Sequence, residues 1–350
     1  MDSNEKIDIY IPKRVSQTLK NDAELFEVFK KDKGSKIMEI NLNSFINILI
    51  KEFYNAYITE YNNYYNNIYN ELDNFGIQNN DKLAKTIINK FIFSSDYKKR
   101  GTQSERLSFK ATEKSGAKGV IEAIDEVNEI DDSISQYLGR MLIAYSRKPL
   151  YERERIIFKS IYDKIMSCCK KKQSFSFTNS IDGNKHTVMP YSISLGKEEL
   201  FNYLLCYTYD EKGGIKTYTY RLSRITNIIE SNIKIPYSDD VKKQFELIET
   251  YGSAYAFNEN VEACVLLNKA GISSFRQIYF GRPKVEKKEE TGDGNYRYYF
   301  NCSQYQLYLY FRRFNAGEAF VEYPKELQDK IRIFHEKSLD TYKSGKLSND

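Results

Sequence analysis

The residues of this chain best suited to hold a ligand are two arginines, Arg221 and Arg224, which stand three positions apart. They end a segment, Lys216 to Ile225, in which bulky and basic side chains alternate, and this period of two predicts a strand. A guanidinium donates paired hydrogen bonds to a phosphate and stacks on flat rings, which a lysine cannot imitate. We therefore expect an anionic ligand close to at least one of these arginines.

The spacing leaves open which arginine binds. Residues three apart on a regular strand point to opposite faces unless a bulge intervenes, so at least one should face a ligand groove. The alternative for each is a structural salt bridge. Neighbouring side chains that could stack on the ligand or extend the basic patch complete the predicted site: Lys185, His186, Tyr191, Tyr203 and Tyr207. The alternative for the tyrosines is core packing, and for the lone histidine a satisfied surface or core position.

Catalysis finds little support in the sequence. The two histidines are far apart, and no Cys-His pairing or metal-binding spacing is evident. The pairs Gly213-Gly214 and Gly292-x-Gly294 lack the lysine-serine context of a phosphate-binding loop and are predicted to be turns. The five cysteines are odd in number and lack CxxC spacing, which indicates reduced, buried thiols. We expect a protein that is not an enzyme and that holds no cofactor or metal.

Composition restricts where a basic site can lie. With 350 residues the chain can bury a sizeable core and has room for two or three domains. Its 53 Lys and Arg against 48 Asp and Glu give a net charge of only +5, so a basic site must be a local patch.

No apolar run approaches the roughly 18–20 residues of a membrane span, and residues 1–20 lack a signal-peptide pattern. We expect a soluble, cytoplasmic protein with no membrane partner.

The N-terminal part of the chain repeats one order of elements, a strand followed by two helices. Lys6 to Pro12 alternates with three isoleucines on one face, and a helical stretch to about Lys31 and a long helix from Asn43-Ser44 follow. Arg106 to Thr112 alternates in the same way, with Leu107, Phe109 and Ala111 inward. Helices are predicted after it over Ser115 to Val127 and from a cap at Asp132-Ser133, with Ile134, Leu138 and Leu142 on one face.

This duplicated order resembles the ribbon-helix-helix fold, here with both strands of the ribbon in one chain and extra helices around Phe45–Phe75 and Asp81–Phe93. In that family the outward side chains of the ribbon enter the major groove of duplex DNA. The resemblance therefore implies these candidate ribbon contacts: Lys6, Tyr10, Arg106, Ser108 and Lys110. Asp8 and Asp132 would repel phosphate, so a scaffold or oligomerisation module is the alternative.

The segment from Tyr151 to Ile225 combines a predicted helix, several strands and three motifs. The helix, Tyr151 to Lys172, leads to a strand, Gln173–Phe177, and later to a hairpin over Gly213-Gly214. The basic run at the end of that helix is expected to be a solvated cap. The motifs are Val188 with Pro190-Tyr191, Asn202-Tyr203-Leu204, and Arg221-Leu222-x-Arg224-Ile225. In this order they resemble the WYL domain, a small Sm-like or SH3-like barrel found in bacterial regulators, with Asn202 in place of the usual Trp.

The remaining sequence is similar to the C-terminal extension of WYL proteins, which forms a small sandwich. Its predicted elements are a strand from Ala263 with a helix to Gly281, a hairpin over Lys284 to Asn301, a helix over Gln304 to Phe314, and a strand over Ala319 to Pro324 with a helix to Tyr342. The resemblance alone places a dimer interface in this module.

Together these expectations describe a multidomain α+β protein. Residues 1–150 form a pseudo-dimeric ribbon-helix-helix domain with a two-stranded ribbon, residues 151–235 a WYL domain with an Sm/SH3-like β-barrel, and residues 236–350 a C-terminal α/β sandwich-like dimerisation module. The combination resembles the WYL-domain accessory proteins encoded beside RNA-guided, RNA-cutting CRISPR effectors of type VI-D.

That resemblance implies a homodimer that binds single-stranded RNA and enhances a CRISPR ribonuclease effector, its functional partner. The alternative is a transcription regulator whose ribbon binds duplex DNA and whose WYL domain senses a ligand. A third candidate, a protein-interaction scaffold, would leave the barrel empty.

Overall fold

The computed structural model describes residues 6–30, 39–93, 104–127, 133–195, 200–210, 213–251, 260–279 and 281–347. Within these ranges the protein is a mixed α+β structure with eleven α-helices and three antiparallel sheets. The chain divides into two compact units, Met1–Lys164 and Ile165–Asp350, and the division falls inside a helix, Lys159–Lys171. The domain boundaries expected at residues 150 and 235 remain predictions.

The first unit contains two strands and mostly helical elements. In chain order they are β1 (Lys6–Pro12), α1 (Lys13–Leu25), α2 (Leu42–Asn74), α3 (Asn80–Ile87), a π-helical turn (Ile88–Ile92), β2 (Ser104–Lys110), α4 (Ala117–Val127), α5 (Ile134–Ser146) and α6 (Leu150–Ile157), followed by α7 (Lys159–Lys171) across the division.

The two strands form an antiparallel ribbon within one chain, as the duplicated sequence pattern predicts. Ile9 pairs with Leu107, and the side chains of that face, including Ile11 and Phe109, are buried. A two-stranded ribbon is marginally stable in water by itself, so this buried face is what stabilises it. The prediction that Ala111 is an inward residue of this strand was wrong, because β2 ends at Lys110.

Two helices of the first unit begin with side-chain caps, one at Ser133 as predicted and one at Asn41 instead of the predicted Asn43-Ser44. The Asn41 side chain accepts a hydrogen bond from the backbone of Ser44 at the start of α2, and Ser133 forms a reciprocal capping box with Gln136 at the start of α5. Asp132 lies outside the described residues. The helix expected to run to about Lys31, itself outside those residues, ends at Leu25, because Glu27 takes a left-handed backbone with φ of 60°.

The second unit holds two sheets and their helices. In chain order the elements are β3 (Phe175–Asn179), β4 (Lys185–Leu195), β5 (Asn202–Tyr209), β6 (Ile215–Arg221), β7 (Ile225–Glu230), α8 (Asp239–Tyr251), β8 (Asn260–Leu267), α9 (Lys269–Gln277), β9 (Lys287–Glu290), β10 (Tyr296–Ser303), α10 (Gln304–Phe311), β11 (Ala319–Tyr323) and α11 (Lys325–Ser344). Neither β7 nor α8 was predicted from the sequence.

The helix predicted from Tyr151 to Lys172 is two helices, α6 and α7. They are separated at Phe158, whose backbone leaves the helical region and whose ring packs edge-on against Phe26 at 6.0 Å between centroids. The packing of this half-buried ring against the buried Phe26 gives a physical reason for the break.

The first sheet of the second unit has the order β6-β5-β4-β3-β7. The segment predicted as one strand, Lys216 to Ile225, is interrupted by a 3-10 turn, Leu222–Arg224, in which Leu222 is buried. This turn joins the two edge strands of the sheet. The four residue steps from Arg221 to Ile225 span at most about 14 Å, so the sheet must curve to bring its edges together there. Hydrogen bonds between β6 and β7 do not close it within the described strands, and the Sm-like barrel stays a prediction.

The second sheet has the order β11-β8-β10-β9 and carries the core of the C-terminal part. Val265 and Phe300 from the sheet pack with Phe275, Leu307 and Phe311 from α9 and α10. The predicted hairpin over Lys284 to Asn301 is formed by β9 and β10, as the sequence indicated.

Candidate ligand pocket

A cavity of about 720 Å³ opens in the second unit, beside the five-stranded sheet. Its volume is within the usual range of small-ligand sites, about 300–1,000 Å³. Three segments supply its walls: the end of α7, the strands β4 and β5, and the chain between β7 and α8. The lining residues are Cys169, Lys172, Met189, Pro190, Tyr191, Tyr207, Lys234, Ile235, Pro236 and Tyr237.

The pocket lies on the face of the sheet that α8 covers. Met189 on β4 and Tyr207 on β5 are register partners, so their side chains share that face. Both pack with Phe245 of α8 and with Ile235 of the preceding segment in one buried apolar cluster. The helix therefore protects part of this face, and the pocket forms beside it.

A β-bulge directs Tyr191 into the pocket. Pro190 pairs with Cys206 and Ser192 with Leu205, which leaves Tyr191 as the extra residue between them. Bulges re-aim a side chain in this way, and they tolerate proline because they leave a backbone group outside the ladder. The Pro190-Tyr191 pair of the sequence thus has a defined structural role.

Tyr191 belongs to a group of stacked rings. It lies on Phe245 with centroids 4.2 Å apart and planes 8° apart, and it is parallel to Tyr237 within 5° at 6.0 Å. Tyr207 completes the group, inclined by 57° to Tyr237. Phe245 is fully buried, whereas Tyr191 and Tyr237 are 38% and 48% exposed, so both tyrosines are partly accessible to a ligand.

Two lysines add positive charge to this aromatic wall. Lys172 follows the last residue of α7, and Lys234 lies in the irregular segment before α8; both side chains are exposed. Within the described part of the chain neither forms an ion pair, whereas the adjacent Lys171 approaches Glu230 at 3.9 Å. The pocket therefore combines stacking surfaces with two cations that could meet an anion.

Two tyrosines and a cysteine of the pocket have pKa values above their usual range. Burial is the main cause that raises the pKa of Tyr191 and of Tyr207 above the usual tyrosine value. Burial also raises the pKa of the Cys169 thiol to about 11, so this sulfur is protonated at neutral pH and is a poor nucleophile. Stacking, hydrogen bonding and attraction of anions are the interactions that this pocket offers.

The predicted binding residues are only partly gathered in the pocket. Tyr191 and Tyr207 line it. Tyr203 and Arg221 are register partners on β5 and β6, on the same sheet face as Tyr207. They lie four residues away along the strand, which corresponds to about 13 Å. The Arg221 guanidinium sits 3.4 Å from the centre of the Phe201 ring.

Arg224 does not lie on a strand, so the alternation of side chains along a strand says nothing about its direction. This residue belongs to the 3-10 turn rather than to β6. Arg221, through its register with Tyr203, lies on the face that carries the pocket.

Lys185 and His186 lie at the start of β4, away from the pocket lining. Lys185 is exposed. His186 pairs with Phe177, and its ring packs against Phe177 and Tyr220 at 5.5 and 5.2 Å. The structure therefore places the histidine in an aromatic cluster on the opposite face of the sheet.

Sequence reasoning missed Lys172, Lys234 and Tyr237 as pocket residues. Lys172 belongs to the basic run that the sequence suggested was a solvated helix end. Lys234 and Tyr237 occupy a segment without helix or strand periodicity. The available signal was the aromatic-proline pattern around Pro236, next to a basic residue.

The ribbon of the first unit brings its five predicted contact residues together on its outward face. Lys6 pairs with Lys110, and Tyr10 with Arg106. Between these pairs Asp8 accepts hydrogen bonds from Arg106 and from Ser108, which hold the pKa of its carboxyl below the usual value. The arginine of the ribbon is thus already bound to a carboxylate.

None of the five cysteines forms a disulfide; four of them are buried and Cys169 is half-buried. Among the described residues no three His, Cys, Asp or Glu side chains gather as a metal site. In the same ranges no helix has the length and apolar character needed to cross a membrane.

Comparison with solved structures finds a chain described as the crystal structure of a CRISPR Cas-related protein. The two are 20% identical, the match covers 97% of this chain and 95% of that chain, and the TM-score is 0.65. At this identity the similarity shows the fold alone. Proteasome accessory factor B/C (PafBC) of Arthrobacter aurescens is 14% identical, with 79% and 46% coverage, and its TM-score of 0.25 supports no argument. No protein-family model and no curated protein matches this chain.

Proposed function

We propose that this protein binds single-stranded RNA at the pocket beside α8 and acts as a non-enzymatic accessory of a CRISPR ribonuclease. The observation that carries the proposal is the combination of exposed tyrosine faces and two lysines in one cavity. Aromatic faces stack on any unpaired base, and lysines neutralise the phosphates on either side of it. A base inside a duplex is already stacked and cannot enter such a pocket.

The CRISPR association is supported by two independent lines. The fold over nearly the whole chain is that of a protein described as CRISPR Cas-related. The sequence motifs resemble those of WYL accessory proteins, which implies dimerisation and a ribonuclease effector as partner. Two protomers would present two RNA sites, and simultaneous occupancy of both would raise the affinity for a longer strand.

The competing proposal, a duplex-DNA regulator, has weaker support in the ribbon. A DNA-binding ribbon needs cations that are available to phosphates and base edges. Here Asp8 occupies the guanidinium of Arg106 and places a carboxylate in the middle of the outward face. We therefore propose RNA rather than duplex DNA as the principal nucleic-acid partner.

Fluorescence anisotropy with an unstructured RNA and a duplex DNA of the same length, measured across a salt series, tests the proposal. We expect tighter binding of the single strand at every salt concentration. A companion assay measures target-RNA cleavage by the cognate CRISPR ribonuclease with and without the protein, and we expect faster cleavage with it. Preference for the duplex, or weak RNA binding at all salt concentrations, would contradict the RNA-binding proposal.

A further inference from the structure

We infer that the pocket is a site for one nucleotide, which holds a single unstacked base together with its phosphate, so that free nucleoside monophosphates compete with RNA for it. This inference rests on the proposed function and specifies its ligand more narrowly. Three properties of the pocket support it: the arrangement of its rings, the charge of its lining, and the backbone of Lys172.

The rings form a restricted binding surface rather than a long platform. Tyr191 and Tyr237 are parallel within 5°, and Tyr207 meets Tyr237 at an angle of 57°. Met189 and Ile235, both buried, add an apolar surface to the pocket beside these rings. A planar base can lie on the parallel rings, whereas the inclined ring and the apolar residues limit the stack to a short segment. One base therefore fits this surface better than a continuous run.

The charge of the lining selects for an attached phosphate. The ten lining residues include two lysines and no acidic side chain. These lysines come from two separate segments, the end of α7 and the chain before α8, so they approach a ligand from different directions. The carboxylates of Glu246 and Glu249 on α8 contribute to the raised pKa of Tyr191, after burial and Tyr237, but neither lines the pocket.

The backbone of Lys172 takes a left-handed conformation at the end of α7, as that of Glu27 does beyond the end of α1. Its φ is 49°, in the left-handed region, at the first residue beyond the end of α7. Glycine is the usual residue at this position of a helix end, because it has no Cβ to clash. Residues other than glycine with a left-handed backbone are found at functional sites, where the position of the side chain matters for binding. We attribute the lysine at this position to its contact with the phosphate.

A competition experiment tests the inference with the full chain. A fluorescent single-stranded RNA is bound first, and UMP, AMP, uridine, ribose 5-phosphate or inorganic phosphate is then titrated into the complex. We expect UMP and AMP to displace the RNA. The compounds that lack either the base or the phosphate should be at least about tenfold less effective, because each lacks one of the two groups that contact the pocket.

The outcomes separate this inference from the proposed function. Tight RNA binding without displacement by any monophosphate would overturn the single-nucleotide site and leave RNA binding in place. Displacement by inorganic phosphate as effective as that by UMP would also overturn it, because the base would then contribute nothing. If neither RNA nor nucleotide binds, both proposals are wrong.

A matched pair of variants tests the role of Lys172. Lys172→Ala and Lys172→Gly both remove the charge, but only glycine relieves the left-handed backbone. We expect the same several-fold loss of UMP affinity in both variants, and a higher melting temperature for Lys172→Gly than for Lys172→Ala. Unchanged UMP affinity in Lys172→Gly would contradict the inference. Tyr279→Ala, which removes an exposed tyrosine outside the pocket, is the control that should bind UMP normally.

Discussion

The ribbon and the pocket contain similar residue types, tyrosines with lysine or arginine, but arrange them differently. On the ribbon the side chains lie on a two-stranded surface, and Asp8 binds the only arginine among the candidate contacts. In the pocket Tyr191 stacks on the buried Phe245, Tyr237 lies parallel to Tyr191, and the two lysines stand beside them without an ion pair in the described residues. Residue type is therefore a poor guide to a binding site unless the partners of each charge are known.

The pocket and the ribbon also differ in how firmly their side chains are held before a ligand binds. A ribbon offers its side chains to the solvent, where an ion pair contributes little and salt screens it. The pocket holds its rings against Phe245 and Met189, so the stacking surface is fixed before a ligand arrives. A preorganised surface loses less conformational freedom on binding. The affinity for RNA should therefore depend more strongly on the pocket than on the ribbon.

Removing the stacking rings should have the largest effect. In the double variant Tyr191→Ala/Tyr237→Ala we expect the affinity for single-stranded RNA to fall by about tenfold or more, because each engaged ring contributes about 1–3 kcal/mol. Anisotropy titration measures the change. The matched ribbon variant Lys6→Ala/Lys110→Ala should bind nearly as the wild type does. If the ribbon variant loses more affinity than the pocket variant, the assignment of the two regions is reversed.

Removing the pocket lysines should have a smaller effect that depends on salt. In Lys172→Ala/Lys234→Ala the slope of log affinity against log salt should become shallower by about 1.4, since each phosphate contact on a single strand contributes about 0.7. The slope is obtained from titrations at several salt concentrations. A slope equal to that of the wild type would show that these lysines do not contact phosphates.

Freeing the arginine of the ribbon should have the smallest effect. Asp8→Asn removes the carboxylate that holds Arg106, so the affinity for duplex DNA should rise by a few-fold at low salt. Electrophoretic mobility shift with a short duplex detects this gain, and single-stranded RNA binding should not change. A fall in duplex affinity would indicate that Asp8 itself assists DNA binding and would revive the regulator hypothesis.

Periodicity and capping residues predicted much of the fold. The alternating isoleucines of β1, the cap at Ser133 and the hairpin over Lys284 to Asn301 lie where the sequence indicated, whereas α2 begins at Leu42, capped by Asn41, and not at Asn43-Ser44. Local signals of this kind act over a few residues and are recorded directly in the sequence. The fold similarity to a CRISPR Cas-related protein agrees with the broader expectation.

The pocket was harder to predict because it depends on contacts between distant segments. The turn at Leu222–Arg224 divides a predicted strand, since Leu222 turns into the core. Tyr237 and Lys172 are more than sixty positions apart, and only the packing of α8 on the sheet creates the cavity that both line. Tyr191 and Tyr207 were predicted from their types and their place in the motif. Lys172 was interpreted as part of a solvated helix end, and the only local signal for Tyr237 was the neighbouring Pro236 beside a basic residue.

Photocrosslinking is the most direct test of the central claim that RNA binds at the pocket and not at the ribbon. A single-stranded RNA containing 4-thiouridine is irradiated in complex with the full chain, and the crosslinked peptides are identified by mass spectrometry. The account predicts crosslinks on the peptides that contain Tyr191, Tyr207 and Tyr237. Crosslinks concentrated on Lys6–Pro12 and Ser104–Lys110, with none on the pocket peptides, would contradict it.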